Sequence, residues 1–225
     1  MGLLVTFEGG EGSGKSTQAA LLAERLREAG RDVVTAREPG GTPFGEALRA
    51  LTRKPALARR IHALLTGAAW REIDPRAELL LMEASRAQLV VAVVRPALAR
   101  GAAVVLDRFS DSSLAYQGYG RGLPLDLVRQ ANALATDNLT PDLTVLLDLP
   151  PEEGLQRKGD ERGQDAIGGA SLAFHERVRR GYLELAREEP ARWLVLDARQ
   201  PAGELATAIW ARVRALLEER QTYLA

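Results

Sequence analysis

The chain has 225 residues and 46% hydrophobic residues, which is typical of one globular domain. Thirty basic and thirty acidic side chains cancel to a formal net charge of zero. This balance argues against a nucleic-acid polymer or an anionic membrane as partner, because phosphate groups attract basic surfaces. With no cysteine and two histidines, the chain predicts no disulfide and no zinc site.

Five short aliphatic runs predict β-strands, and helical patterns separate them. The runs occupy residues 3–7, 32–35, 103–106, 143–147 and 193–196. Strands that are apolar on both faces are typical of a parallel sheet with crossover helices. Helices are predicted from the 14–17 loop to residue 29 and over 76–94, 125–135, 171–187 and 203–220. Gly30 is expected to end the first helix, and Pro96 to bend or interrupt the end of the second.

These elements predict a single α/β domain over residues 1–225, with a five-stranded parallel sheet flanked by helices in three layers. Residues 53–73 are interpreted as a surface loop. Residues 157–169, RKGDERGQDAIGG, place Arg157, Lys158 and Arg162 in a glycine-bordered stretch that suits a short closing lid. No apolar run is long enough to span a membrane and no secretion signal begins the chain, so a cytoplasmic protein is expected.

Residues 9–16, GGEGSGKS, fit the phosphate-binding pattern G-x-x-x-x-G-K-[ST] between a predicted strand and a predicted helix. Glycines let successive backbone N–H groups point at phosphate oxygens, and the helix N-terminus adds partial positive charge. Lys15 is expected to reach the β- and γ-phosphates of ATP, and the Ser16 hydroxyl to ligate Mg²⁺. The predicted ATP-binding residues are Gly9, Gly10, Glu11, Gly12, Ser13, Gly14, Lys15, Ser16 and Thr17.

An acidic residue at the end of a second strand normally completes the magnesium site of such a loop, usually through water. Asp107 and Asp148 both follow predicted strands, and spacing alone does not choose between them. Asp107 is favoured because Arg108 places a cation beside the same crevice. Asp148 would then be a loop or helix-cap residue before Pro150.

The remaining features favour a kinase for a small molecule. A small GTPase would need an N-K-x-D motif, which is absent, and a motor ATPase would need a larger chain. An arginine-rich lid suits an enzyme that gathers two polyanions, as a nucleoside monophosphate kinase does. A deoxynucleoside kinase and a regulator that binds ATP without catalysis are the alternatives.

The sequence resembles bacterial thymidylate kinases over almost its whole length. The matching pieces are FEGGEGSGKST (7–17), REPGGT (37–42), EASRAQLV (83–90), DRFSDSSLAYQGYGRG (107–122), PDLTVLLDL (141–149) and FHERVRRGYLELA (174–186). The resemblance implies the P-loop kinase fold and transfer of the ATP γ-phosphoryl group to dTMP, with Mg²⁺, giving dTDP and ADP. It also implies a homodimer. The apolar runs 89–94 and 114–115 are compatible with an interface, and buried core explains them as well.

The resemblance also implies roles for individual residues. Arg108 corresponds to the arginine that grips the dTMP phosphate, and Arg86 to the one that hydrogen-bonds the thymine ring. Glu11 corresponds to a carboxylate near the 3′-hydroxyl. Arg162, and next Arg157, are expected to neutralise charge on the transferred group. The other implied dTMP-binding residues are Arg37, Glu38 and Pro39, with a cis peptide before the proline, then Arg49, Met82 where the family usually has Phe, Ser112, Ser113, Tyr116 and Gln117.

Overall fold

The computed structural model describes residues 2–53, 73–158 and 171–222. Its centre is a five-stranded parallel sheet in the order β2-β3-β1-β4-β5. The strands are β1 (Leu3–Glu8), β2 (Val33–Arg37), β3 (Ala103–Asp107), β4 (Leu143–Asp148) and β5 (Trp193–Asp197). The predicted parallel sheet is therefore confirmed, with β1 at its centre.

Every strand ends one or two residues later than its apolar run predicts. The final residues are charged: Glu8, Arg37, Asp107, Asp148 and Asp197. A prediction based on apolar runs stops before such residues, whereas the backbone hydrogen bonds between strands continue through them. These charged ends lie together because parallel strands share one carboxyl edge, where open α/β sheets bind ligands.

Helices cover both faces of the sheet. They are α1 (Lys15–Glu28), α2 (Pro43–Arg53), α3 (Pro75–Leu89), α4 (Arg95–Ala99), α5 (Ser110–Ser113), α6 (Leu125–Thr136), α7 (Pro151–Lys158), α8 (Leu172–Glu188) and α9 (Ala202–Thr222). Two π-helical segments, Val90–Val94 and Leu114–Gly120, follow α3 and α5. Along β1, Val5 packs on one face with residues of α1 and α9, while Leu4 packs on the other with Leu89 of α3. This alternation produces the predicted three layers.

The prediction for residues 76–94 differs from the structure in its second half. The α-helix ends at Leu89, and the wider π-helical segment follows, in which Arg95 N–H donates to the Val90 carbonyl. The chain then stays helical through Pro96 to Ala99. Proline is tolerated in the first turn of α4, where its missing N–H needs no partner.

Gly30 follows the end of α1 with a φ of 76°, the left-handed conformation expected of a glycine that ends a helix. Most of the predicted surface loop 53–73 and of the lid 157–169 lies outside the described residues. No helix in the described part of the chain is long and apolar enough to cross a membrane.

Candidate active site

A cavity of about 370 Å³ opens at the carboxyl edge of the sheet. All its lining residues belong to the sets that the sequence predicts for ATP, dTMP or magnesium. They are Glu11, Gly12, Ser13, Gly14, Lys15, Ser16, Thr17, Arg37, Glu38, Pro39, Arg49, Met82, Arg86, Asp107, Arg108, Ser112, Ser113, Tyr116 and Gln117. The cavity therefore extends from the phosphate-binding loop to a pocket beside α3. The individual roles of these residues stay predictions.

The phosphate-binding loop turns directly into α1. Gly14 has φ 87°, a left-handed conformation that glycine adopts without steric cost, and the helix begins at Lys15. The Lys15 ammonium donates to the Gly10 carbonyl at 2.6 Å and to Ser13 Oγ at 3.2 Å. Burial, with further repulsion from Arg108, lowers the pKa of Lys15 to about 8. The ammonium thus lies against its own loop and must exchange these contacts for phosphate oxygens.

The structure gives the two candidate magnesium carboxylates different partners. Ser16 Oγ donates to Asp107 Oδ2 at 2.5 Å, and both residues line the cavity. The Asp148 carboxylate instead accepts two hydrogen bonds from Arg179, at 2.7 and 2.8 Å. Adjacent hydroxyl and carboxylate oxygens suit Mg²⁺, which takes few protein ligands when phosphate oxygens and water supply the rest. The geometry supports Ser16 and Asp107 as the pair that would hold it.

Arg108 occupies a left-handed backbone conformation directly after β3. Its φ is 74°, and its N–H donates to the Phe7 carbonyl at 3.0 Å. The guanidinium donates to the Gly9 carbonyl at 3.2 Å, to Tyr116 at 3.0 Å and to Glu11 at 3.3 Å. With its side chain 17% exposed, this cation faces the cavity from a fixed position.

Sequence reasoning missed Glu8, which holds the peptide after Arg108. Glu8 is fully buried; its Oε1 accepts from Phe109 N–H at 2.8 Å, and its Oε2 from Ser112 Oγ at 2.6 Å and Tyr182 OH at 2.7 Å. Burial raises the pKa of Glu8. A carboxylate that follows an apolar strand directly was the available signal, because buried acids need polar partners.

Arg86 is held by a buried polar network beneath the pocket. Its side chain is 2% exposed; Nε donates to Glu38 at 2.7 Å, and Nη1 donates to Glu83 at 2.5 Å and Asn132 at 2.7 Å. Sequence reasoning missed Glu83 and Asn132, which lie on α3 and α6. The network fixes the guanidinium plane, since the side chain cannot rotate without breaking several charge-assisted hydrogen bonds.

Glu38 gives the stability a pH dependence. Burial raises the pKa of its carboxyl to about 7 although the Arg86 guanidinium opposes the rise, whereas the ordinary value is 4.5. Between these values the folded state binds the extra proton, so stability falls as pH rises. We expect the unfolding free energy of wild type to fall between about pH 5 and about pH 8. The fall should exceed that of Glu38→Gln by as much as about 3 kcal/mol. Urea unfolding at both pH values measures the difference.

Glu46→Gln is the matched control for this prediction. The Gly41 N–H, followed by Arg37, holds the pKa of the Glu46 carboxyl below its ordinary value. Replacing Glu46 should therefore remove a contribution that is present at high pH and lost on acidification, the opposite sign. Equal pH slopes for wild type and Glu38→Gln would show that Glu38 is ionised throughout the range.

The loop after β2 brings two more arginines to the cavity. The Glu38–Pro39 peptide bond is cis, in agreement with the resemblance. Arg49 on α2 donates to the Pro39 carbonyl at 2.8 Å. Arg37 contacts Glu46 at 3.3 Å, and its side chain is 54% exposed, so it is available to an anion.

The wall opposite the loop comes from α3, α5 and the second π-helical segment. Met82 is 9% exposed and lines the cavity at the position where the family usually has Phe. Tyr116 and Gln117 are consecutive residues, yet both line the cavity, with Ser113 beside them. The Arg108 Cζ atom lies 4.9 Å from the Tyr116 ring centroid. The aromatic face therefore supports the predicted phosphate-binding arginine.

Of the two lid arginines, the structure describes only Arg157. The exposed Arg157, at the end of α7, donates to the Ala198 carbonyl at 3.1 Å and does not line the cavity. Arg162 lies outside the described residues. The roles of both arginines stay predictions.

Comparison with known proteins agrees with this geometry. The Thymidylate kinase family model matches residues 7–209. The thymidylate kinase of Deinococcus radiodurans is 53% identical over 94% of this chain and 96% of that protein. That of Desulforudis audaxviator is 49% identical over 99% and 95%. A crystal structure of thymidylate kinase from Ehrlichia chaffeensis superposes with a TM-score of 0.66 at 34% identity, covering 87% of this chain and 92% of that one. The chain belongs to the thymidylate kinase family.

Proposed function

We propose that the protein transfers the γ-phosphoryl group of ATP to the 5′-phosphate of dTMP, giving dTDP and ADP. The observation that carries the proposal is the continuous cavity, which joins a phosphate-binding loop to a half-buried arginine, Arg108, and to a polar pocket at Arg86. A donor nucleotide at one end and an acceptor nucleotide at the other would meet with their phosphates between Lys15 and Arg108.

The proposed roles follow from the charge of the reaction. Phosphoryl transfer asks the protein mainly to align two phosphates and to stabilise the negative charge of the transferred group. Lys15 and the loop N–H groups bind the donor phosphates, and Arg108 binds the acceptor with two parallel hydrogen bonds. A dTMP phosphate oxygen is already anionic at pH 7, so no general base is required.

Magnesium is proposed to be held by Ser16 directly and by Asp107 through water. When bound, it supplies positive charge to the β- and γ-phosphate oxygens. Arg162, with Arg157 next, is proposed to neutralise charge from the lid, whose closure would exclude water and limit ATP hydrolysis. Glu11 lines the cavity and offers an acceptor for the 3′-hydroxyl.

Steady-state ADP formation tests the function. We expect ADP release with dTMP, and much less with dCMP, dGMP or no acceptor. Equal turnover of the three nucleotides would favour a kinase for another nucleoside monophosphate, and turnover with thymidine would favour a deoxynucleoside kinase. ATP binding without acceptor-dependent ADP release would indicate a regulator.

Asp107→Asn tests the magnesium assignment. We expect kcat to fall by about 100-fold and the Mg²⁺ concentration for half-maximal rate to rise, because the carboxylate charge is lost. Asp148→Asn is the matched control: it weakens the pair with Arg179 and should lower stability while leaving the Mg²⁺ requirement unchanged. The reverse result, an altered Mg²⁺ requirement only in Asp148→Asn, would transfer the role to Asp148.

We propose a cytoplasmic homodimer without a nucleic-acid polymer as partner. Of the two explanations for the apolar runs 89–94 and 114–115, buried core fits most of their residues, since Leu89, Val94, Leu114 and Ala115 are buried. Large exposed apolar side chains lie instead on α3, in the first π-helical segment and on α6: Leu80 (64% exposed), Val91 (63%), Leu127 (43%) and Leu134 (86%). Because α3 and α6 pack together, a second copy could cover this face.

Leu134→Glu tests this interface. A charge at the most exposed of these positions should convert the dimer to a monomer, as measured by sedimentation velocity, because a buried unpaired carboxylate is costly. Val195→Glu, on the edge strand β5, is the control and should leave the mass unchanged. A monomeric wild type, or a dimeric Leu134→Glu, would contradict the proposal.

A further inference from the structure

Gln117 is held by a carboxylate that no sequence motif singled out. Its side chain is 2% exposed and lines the cavity together with Met82 and Arg86. Its Nε2 donates to Glu78 Oε1 at 2.7 Å. Glu78 lies in the first turn of α3, and with Met82 and Arg86 it follows an i, i+4, i+8 spacing that places all three on one helix face.

The charge of Glu78 decides which way the Gln117 amide faces. Glu78 is 6% exposed and forms an ion pair with Arg121 at 3.0 Å. An ionised carboxylate only accepts hydrogen bonds, so the NH₂ group of Gln117 must face it. Gln117 Oε1 accepts no hydrogen bond from the described residues. It can therefore accept one from a ligand in the cavity.

Arg86 contributes the opposite kind of group to the same pocket. Its Nη2 donates to the Phe109 carbonyl at 3.1 Å, and its second Nη2 hydrogen has no acceptor in the described part of the chain. Besides Glu38 Oε1, which also has no partner among the described residues, the pocket offers the Arg86 Nη2 hydrogen as a donor and Gln117 Oε1 as an acceptor. Thymine presents O4 as an acceptor beside N3–H as a donor, whereas cytosine presents an amino group beside an unprotonated N3.

We propose that Glu78 is a positioning residue that sets base specificity by fixing the Gln117 amide so that its oxygen faces the base. The inference rests on the proposed use of dTMP as acceptor. If the amide were free to turn over, it could donate to N3 of cytosine as readily as it accepts from N3 of thymine. Glu78 therefore lowers the affinity for cytosine by fixing the Gln117 amide, although Glu78 itself contacts neither base.

Glu78→Gln tests the proposal with two matched acceptors, dTMP and 5-methyl-dCMP, which differ only on the edge that Gln117 reads. A neutral amide at position 78 can donate or accept, so either Gln117 orientation becomes satisfiable. We expect the ratio of kcat/KM for dTMP over 5-methyl-dCMP to fall about tenfold or more relative to wild type. The ratio isolates specificity, because a general loss of stability or of active enzyme lowers both rates together.

Arg121→Gln is the control, since it removes the same ion pair but keeps the carboxylate beside Gln117. Its ratio should equal that of wild type. The double variant Glu78→Gln with Arg121→Gln leaves no unpaired cation if the single variant folds poorly, and its ratio should fall as well. An unchanged ratio in both Glu78→Gln variants, or an equal fall in Arg121→Gln, overturns the inference. Failure of wild type to phosphorylate dTMP would instead overturn the proposed function.

Discussion

Arg108→Ala is expected to lower kcat/KM for dTMP by about 1,000-fold or more, because the variant loses the cation that faces the acceptor phosphate. The loss has two parts. First, the bidentate hydrogen bonds between the guanidinium and the phosphate oxygens are lost. Second, the carboxylates of Glu8 and Glu11 remain near an anionic substrate without their neighbouring cation. Both parts act on the acceptor, so the affinity for ATP should change little. Coupled ADP-release kinetics and calorimetric titration of ATP measure the two quantities.

Arg108→Lys separates the charge from the two-pronged geometry. Lysine restores a cation but not the planar fork, and we expect a loss intermediate between wild type and Arg108→Ala. Alanine and lysine both carry a Cβ atom, so the strain at φ 74° is the same in both variants. Arg129→Ala removes a half-exposed surface arginine on α6 and serves as the control. Near-normal dTMP turnover by Arg108→Ala would refute the assignment of the acceptor phosphate to this residue.

The presence and the parallel direction of the strands were predictable because buried parallel strands produce continuous apolar runs. The order of the strands in the sheet was not predicted. The charged last residue of each strand was not predicted to belong to the strand. A prediction from apolar runs stops before a charged residue, although the backbone of that residue still forms hydrogen bonds with the neighbouring strand. The short α5 and the π-helical segment Leu114–Gly120 have no regular 3.6-residue pattern and were missed. Tyr116 and Gln117 of this segment both line the cavity although they are consecutive residues.

The cavity lining was predictable because its residues lie in short motifs. Their buried supports were not: Glu8 holds the peptide after Arg108, Glu83 and Asn132 hold Arg86, and Glu78 holds Gln117. Glu83 and Arg86 are only three residues apart on α3. The other partners are far apart in sequence and meet only when strands and helices are assembled. Buried carboxylates in apolar runs are the signal that could have found the three acids.

Lys15→Met is expected to lower kcat by about 1,000-fold, because the ammonium would follow the negative charge on the β- and γ-phosphates as transfer proceeds. Methionine keeps most of the side chain's bulk but brings no charge. Lys15→Arg keeps the charge in a planar group that the tight loop is not built to hold, and it should rescue little. Turnover by Lys15→Met within about tenfold of wild type would show that the loop N–H groups and Mg²⁺ suffice at the donor phosphates.

The lowered pKa of Lys15 adds a second, independent readout. In the free enzyme this group titrates with a pKa of about 8, since burial and Arg108 disfavour its charge. ATP phosphates favour the charged form, so binding above that pH must take up a proton. The affinity of wild type for ATP should therefore fall up to about tenfold for each pH unit above about 8, whereas that of Lys15→Met should stay level. Parallel pH profiles would contradict this, because only a titrating lysine in the donor site makes the two enzymes diverge.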